Sequence, residues 1–249
     1  LLNSDPQWLS RFDTVLLGGA PAWKDLLETA RNHQIRLAPT YGMTETASQI
    51  VTLKPEDFLQ GNNSSGRALP HASVKILKAN ERGIGNIAIA SKSLCLGYHP
   101  HDSNFSSPYL TDDLGYFDDR GYLHIVGRNS SKMITGGENV FPAEVEAAIL
   151  DTQLVVDVCV IGLPDEMWGQ AITAAYVPKD AKVSVRDLKA ALEFKIGKFK
   201  HPKHWVKMTE LPRNGQGKVN RQKIKEMAAI ALQRNFPRTD ARTRGDRAF

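Results

Sequence analysis

Over the first sixty positions, apolar residues come in two rhythms. The run 13–17 is short and continuous and stops at Gly18-Gly19-Ala20, the pattern of a buried strand. Residues 22–33 instead space Trp23, Leu26, Leu27 and Ala30 along one side of a helix, and 35–38 is a second strand ending at Pro39-Thr40-Tyr41-Gly42. Strand, helix and strand in this order predict a βαβ unit with a parallel sheet, whose functional loops lie at the strand C-termini. From 66 to 127 the runs shorten. Segments 74–77, 85–90 and 121–126 are divided by Gly, Pro, Asn and Asp, which predicts a small antiparallel sheet or barrel, with 99–113 as a loop.

The stretch 127–146, GRNSSKMITGGENVFPAEVE, is a boundary. Gly127-Arg128 closes a strand, and Asn129-Ser130-Ser131 has the composition of a turn or linker. Pro142 suits a first helical position, Glu144 and Glu146 suit the positive end of the helix dipole, and Val145, Ala148 and Ile149 form a stripe. Strands at 155–161 and 171–177 follow, about a turn at 163–169. Ser184 with Asp187 is a capping box for a helix carrying Val185, Leu188, Leu192 and Ile196. A strand at 204–208, a polar loop at 211–220 and a helix at 221–233, with Ile224, Met227, Ala228 and Leu232 inward, complete this part. The fold class is α/β plus α+β. By pattern alone, residues 1–64 form an α/β part, 65–128 a small β part, 129–131 a linker, 132–233 a compact α+β module and 234–249 a loose basic tail.

At 249 residues, 41% hydrophobic and 24% charged, the chain reads as soluble and globular. No apolar run approaches the roughly 18 residues of a membrane helix. There is no basic-then-apolar leader. Cys95 and Cys159 stand alone in apolar runs, as buried thiols of a reducing, cytoplasmic compartment. The chain opens on Leu-Leu rather than Met, which suggests a fragment of a longer protein. The net charge of +5 is uneven, with 13 Lys/Arg against 3 Asp/Glu between Lys182 and Lys225. Such a face suits an anionic partner, although a solvated basic surface accounts for it equally well. No nucleic-acid recognition motif accompanies the charge, so nucleic acid is not expected.

Four groups carry candidate chemistry. Tyr41-Gly42-Met43-Thr44-Glu45 puts a stacking ring, a hydroxyl for a phosphate oxygen and a carboxylate for Mg²⁺ at a strand end. Gly18-Gly19-Ala20 lets a planar ring approach the backbone, but its spacing matches neither the dinucleotide fingerprint nor the phosphate loop. Asp112-Asp113 could accept ribose hydroxyls or be a solvated acidic turn. Lys218, at the tip of Pro212-Arg213-Asn214-Gly215-Gln216-Gly217, is an adaptable point charge for a carboxylate or phosphate.

In this order the pieces resemble the AMP-forming acyl-CoA synthetase superfamily, which includes adenylation domains and luciferases. The matching motifs are GGA at 18–20, YGMTE at 41–45, SGRALP at 65–70, YLTDDLGYFDDRGYLHIVGR at 109–128, GGENVFPAEVE at 136–146 and LPRNGQGK at 211–218. Within it, the run GMTETASQIVTL at 42–53 is similar to the 2-succinylbenzoate–CoA ligases of menaquinone and phylloquinone synthesis. The resemblance implies that 1–64 is a partial nucleotide-binding subdomain of a large parallel-sheet domain, 65–128 a small β-barrel subdomain, 129–131 a hinge and 132–233 a mobile C-terminal domain, with ATP, Mg²⁺, CoA and a small carboxylic acid as ligands. It implies that Gly18, Gly19, Ala20 and Tyr41 enclose adenine, with Gly42 and Met43 also in the nucleotide site. Thr44 would bond the α-phosphate, Glu45 would hold Mg²⁺, and Asp113 and Arg128 would grip the ribose. Ala47, Ser48 and Gln49 would line the acid pocket. Lys218 would bridge the acid and the α-phosphate during adenylation. Rotation about Ser130 would exchange it for Gly136, Gly137 and Glu138, which line the CoA channel with Trp168, Lys200 and Lys203 near the CoA.

The sequence departs from the family at three places. The hinge, usually Asp or Lys, is Ser130; the commonly acidic next position is Ser131; and the T-G-D triplet reads Thr111-Asp112-Asp113, so either Asp could be the ribose ligand. The family's N-terminal phosphate loop is absent from this sequence, which leads to the expectation that this chain alone has little ligase activity. A ligase for another aryl or fatty acid, or a non-catalytic nucleotide- or polyanion-binding module, are the alternatives.

Overall fold

The computed structural model describes residues 2, 4–98, 107–215 and 217–235. The loop expected over 99–106 and the tail expected from 236 onward lie outside the described residues. Cα packing divides the chain into two units, Leu1–Lys132 with Phe141–Ala147, and Met133–Val140 with Ala148–Phe249.

In the first unit, a short helix α1 (Pro6–Leu9) precedes strand β1 (Val15–Leu17), helix α2 (Lys24–Asn32) and strand β2 (Leu37–Met43). β1 and β2 are parallel, with Leu17 opposite Pro39, so the expected βαβ unit forms. Leu27 and Ala30 are the buried stripe of α2. They pack with Ile35, Leu37, Leu53 and Phe58, each full burial of a large apolar side chain contributing about 1.5–3 kcal/mol. Strands β3 (Ser48–Thr52) and β4 (Arg67–Ala68) extend the sheet antiparallel, and helix α3 (Pro55–Leu59) lies between them in sequence. β2 is longer than expected, so Tyr41, Gly42 and Met43 are strand residues rather than a loop after one.

The second sheet of this unit is antiparallel, in the order β5 (Ala72–Leu77), β6 (Gly85–Ser91), β7 (Tyr109–Phe117), β8 (Leu123–Arg128). It is an open sheet, not the expected barrel. Its edges β5 and β8 are not paired with each other, so the four strands do not close. Ile50 and Val51 of β3 pack with Ile87, Ile89 and Leu123 to join the two sheets. Asp112 and Asp113 belong to β7, not to an acidic turn. Cys95 is partly exposed rather than buried, and Cys159, in the second unit, is buried.

The second unit starts with the hairpin β9 (Met133–Thr135) and β10 (Glu138–Val140). Next in sequence is helix α4 (Pro142–Leu150), which belongs to the first unit as far as Ala147, with Pro142 at its first position and Val145 and Ile149 fully buried. The long hairpin β11 (Val155–Asp165) and β12 (Gly169–Pro178) leaves only 166–168 for the turn, less than the 163–169 expected. Strand β13 (His204–Lys207) joins β12 in parallel. Helix α5 (Val185–Leu192) begins at the expected capping box, the Ser184 hydroxyl accepting from the Asp187 amide and the Asp187 carboxylate accepting from the Ser184 amide. Helix α6 (Arg221–Asn235) buries Ile224 and Ala228 against Cys159, Ile161, Ala175 and Val206. Met227 is 42% exposed, because the i, i+4 pair Ile224 and Ala228 sets the inward face. No helix among the described residues is long and apolar enough to cross a membrane.

Candidate active site

The parallel pairing of β1 and β2 brings the ends of two strands together. There Gly18, Gly19, Thr40, Gly42, Met43, Thr44, Ala47, Ser48 and Gln49 line an open cleft of about 560 Å³. Residues expected for nucleotide and for acid therefore share one cavity. Ala20, Tyr41 and Glu45 are not among its lining residues. The Ser48 hydroxyl donates to the Gln49 side-chain carbonyl at 3.3 Å, and both lie on the cleft wall.

The wall is a tight crossing between β2 and β3. A single 3₁₀ turn, Thr44–Thr46, and Ala47 at φ +59° reverse the chain. Thr46, which was not singled out in the sequence, holds the reversal. Its buried hydroxyl accepts from the Met43 amide at 3.0 Å and donates to the Ser48 carbonyl at 2.7 Å. The sequence signal was faint: one hydroxyl residue in a loop already rich in them. Unmade buried hydrogen bonds cost about 1–3 kcal/mol, so Thr46→Val should lower the urea-unfolding free energy of the chain by about 1–2 kcal/mol. Thr46→Ser should retain it, and equal midpoints for Thr46→Val and the unaltered chain would remove Thr46 from this role.

Behind the cleft, Tyr41 leads to β7 and β8. Its hydroxyl donates to Asp113 Oδ2 at 2.7 Å, and Arg128 Nε donates to Asp113 Oδ1 at 3.3 Å. Burial, then the neighbouring Asp113 charge, pushes the Tyr41 phenol far above its ordinary value, so it stays a neutral donor. Three residues expected around the ribose and adenine are thus one hydrogen-bonded chain. Asp112 has a different partner, because successive strand residues face opposite ways. The Ser130 amide donates to Asp112 Oδ1 at 3.1 Å, the Ser130 hydroxyl donates to Oδ2, and the Asn129 amide donates to the Asp112 carbonyl at 2.8 Å. The unusual acid in the T-G-D triplet and the unusual serine in the linker are therefore partners.

Glu45 accepts from the Tyr98 hydroxyl, which drives the Tyr98 phenol up to about 12. Among the described residues no group of three or more His, Cys, Asp or Glu side chains is placed to hold a metal. Mg²⁺ is commonly held through one or two carboxylates together with phosphate and water oxygens, and Glu45 would supply one such carboxylate.

In the second unit, Gly136 and Gly137 form the β9–β10 turn. Gly136 has φ +57°, its amide donates to the Trp168 carbonyl at 3.0 Å, and a Cβ there would stand 2.9 Å from the Trp168 ring. Only glycine meets both conditions without strain. Lys203 Nζ sits 3.3 Å from the Trp168 ring centroid, buried and without a hydrogen bond. Gly136, Trp168 and Lys203 therefore form one cluster. Glu138 begins β10 and is exposed, and Lys200 lies over Phe199 at 5.5 Å instead. The Trp168 amide, bonded to Asp165, holds that carboxyl below its usual range.

Hydrogen bonds link Lys218 to Asn214 across the reversal. Its amide donates to Asn214 Oδ1 at 2.9 Å and its carbonyl accepts from the Asn214 amide at 2.8 Å. Arg213 pairs with Val219 across the turn. The lysine itself is exposed.

Two sequence models cover most of the chain: that of the AMP-binding enzymes matches residues 1–99, and that of the AMP-binding enzyme C-terminal domain matches 144–218. The chain belongs to the AMP-binding enzyme family. Among curated relatives, a 2-succinylbenzoate–CoA ligase of Listeria monocytogenes is 38% identical over 218 residues, covering 86% of this chain and 45% of the relative. The enzyme of the same name from Oceanobacillus iheyensis is 38% identical over 220 residues, covering 86% and 46%. Among solved structures, o-succinylbenzoate coenzyme A synthetase from Bacillus subtilis bound to its acyl-adenylate superposes with TM-score 0.82 at 34% identity, covering 90% of this chain and 49% of that one. The same synthetase bound to ATP and magnesium gives 0.79 at 32% identity, covering 92% and 49%. The chain spans about half the length of the curated relatives it matches.

Proposed function

We propose that this chain carries the C-terminal machinery of an ATP-dependent acid–CoA ligase acting on 2-succinylbenzoate. The observation that carries this reading is the shared cleft, in which the glycines and Thr44 of a nucleotide site adjoin the amide and hydroxyl of Gln49 and Ser48. Relatives named for 2-succinylbenzoate, and a similar structure holding an acyl-adenylate, support the choice of acid.

In the first half-reaction the acid's carboxylate oxygen attacks the α-phosphorus of ATP, the bond to the β-phosphate oxygen breaks, and pyrophosphate leaves. Gly18, Gly19, Ala20 and the Tyr41 ring enclose the adenine, with Gly42 and Met43 shaping the floor. Asp113, oriented by Tyr41 and Arg128, takes the ribose hydroxyls. Thr44 donates to the α-phosphate. Mg²⁺, held by Glu45, would offset phosphate charge. Lys218 neutralises the charge that gathers on the α-phosphate as the acid attacks. In the second half-reaction the CoA sulfur attacks the acyl carbon, the bond to the AMP oxygen breaks, and AMP leaves. Gly136, Gly137 and Glu138 line the CoA arm's path, with Trp168, Lys200 and Lys203 near the CoA. A pivot at Ser130 lets the two half-reactions use Lys218 and the Gly136 turn in succession.

A panel of acids offered to the full-length enzyme with ATP and CoA tests the substrate. 2-Succinylbenzoate should give the fastest thioester formation, and a tenfold preference for another aryl or fatty acid would reassign it. The pivot has its own test. Asp112→Ala frees Ser130, so tryptic cleavage after Arg128 and Lys132 should accelerate several-fold. Ser130→Ala, which keeps the amide bond, should accelerate it less. An unchanged rate in Asp112→Ala would mean that Asp112 does not restrain the pivot.

A further inference from the structure

Two arginines on either side of Lys218 are fastened to the same strand. Arg213 donates through Nη2 to Asp157 Oδ2 and through Nη1 to the Gly217 carbonyl at 3.0 Å, one residue before Lys218. Arg221 donates through Nη1 to the Val160 carbonyl at 2.8 Å. Asp157 and Val160 both belong to β11. Asp157 lies where the β11–β12 register slips, which re-aims a side chain, and its Oδ1 accepts from the Val158 amide at 3.0 Å. The carboxylate is thus oriented before Arg213 reaches it.

From this arrangement we infer that Arg213 is a positioning residue for Lys218, with Asp157 as its anchor; the inference rests on Lys218 being the adenylating lysine. A lysine side chain is long and flexible, so a fixed ammonium position needs a fixed backbone. Asn214 bonds across the turn, and Arg213 ties the turn to β11 from the Gly217 side. The planar guanidinium meets two acceptors in fixed directions at once, which a single ammonium cannot do in the same geometry. The pair is half exposed, Arg213 at 46% and Asp157 at 30%, and exposed ion pairs add little to stability. Losing it should therefore affect catalysis far more than folding.

The experiment compares Arg213→Ala, Arg213→Lys, Asp157→Asn and Lys218→Ala in the full-length enzyme. It reads pyrophosphate release, thioester formation from preformed acyl-adenylate, and the thermal midpoint. Arg213→Ala should lower kcat for pyrophosphate release by on the order of tenfold to a hundredfold, the range of a misplaced reacting group. KM for ATP, thioester formation and the thermal midpoint should hold. Arg213→Lys and Asp157→Asn should each lose less. Arg213→Ala with normal pyrophosphate release beside an inactive Lys218→Ala would overturn the brace. A parallel fall of both half-reactions and the thermal midpoint would make Arg213 merely structural and also overturn it. Normal pyrophosphate release in Lys218→Ala would instead overturn the reading on which the brace rests.

Discussion

Lys218→Ala in the full-length enzyme is expected to slow acyl-adenylate formation on the order of 10²–10³-fold, while thioester formation from preformed acyl-adenylate stays near its original rate. The magnitude follows from losing one aimed donor at a site of developing charge, worth about 3–4 kcal/mol. The direction of the asymmetry follows from chemistry. Negative charge accumulates at the α-phosphate when the acid attacks, whereas the thiol step releases AMP as a stable leaving group. The turn around Lys218 supports the magnitude, since Asn214 holds both the amide and the carbonyl of the lysine. Pre-rate pyrophosphate release and single-turnover thioester formation check the two halves separately. Equal losses in both would mean that Lys218 serves the whole fold or both steps.

Gly42→Val is expected to damage the cleft itself, and this can be read on the present chain. A Cβ at Gly42 would lie 2.1 Å from the Ser48 carbonyl oxygen and 2.5 Å from the Gln49 Cα. Both obstacles are backbone, and both are held by the Thr46 hydroxyl and the β2–β3 pairing. Relief would require parting the two strands. Forcing a side chain into such a crossing costs about 3 kcal/mol, at the upper end of overpacking penalties. At about 2–4 °C per kcal/mol for a chain of this size, the thermal midpoint should fall by roughly 10 °C. An unchanged midpoint by calorimetry would show that the crossing is looser than the distances imply.

What could be foreseen from the sequence was local. The α2 stripe, the Ser184–Asp187 capping box and the Pro142 helix start each depend on residues within one or two turns of one another. The two strand ends at Gly18 and Gly42 were also legible, because a βαβ unit places successive strand ends on one edge. What escaped depended on distant pairing. Asp112 and Asp113 look alike in sequence, and only the β7–β8 register sends one to Ser130 and the other to Tyr41 and Arg128. Strand spacing suits an open sheet and a barrel alike, because it does not say whether edge strands meet. Around Lys218, Gly-rich composition marks a reversal without saying that Asn214 and Arg213 bond across it. Asp157, 56 residues from Arg213 in sequence, gave no sign of that contact.

The two odd residues of the motif region now form one feature. Ser130 stands in the linker expected as the hinge, and Asp112 in the middle of Thr111-Asp112-Asp113. A carboxylate brought across from β7 meets the serine hydroxyl and amide, so the charge missing from the linker is supplied by its neighbour. Ser130 is thereby held while Asp113 remains with Tyr41 and Arg128.

Pyrophosphate release by the full-length enzyme decides whether these residues serve acyl-adenylate formation. With ATP, Mg²⁺ and 2-succinylbenzoate but no CoA, pyrophosphate should appear in step with acyl-adenylate, and none when the acid is omitted. Absence of acid-dependent pyrophosphate from 2-succinylbenzoate and from every other aryl or fatty acid would contradict that role.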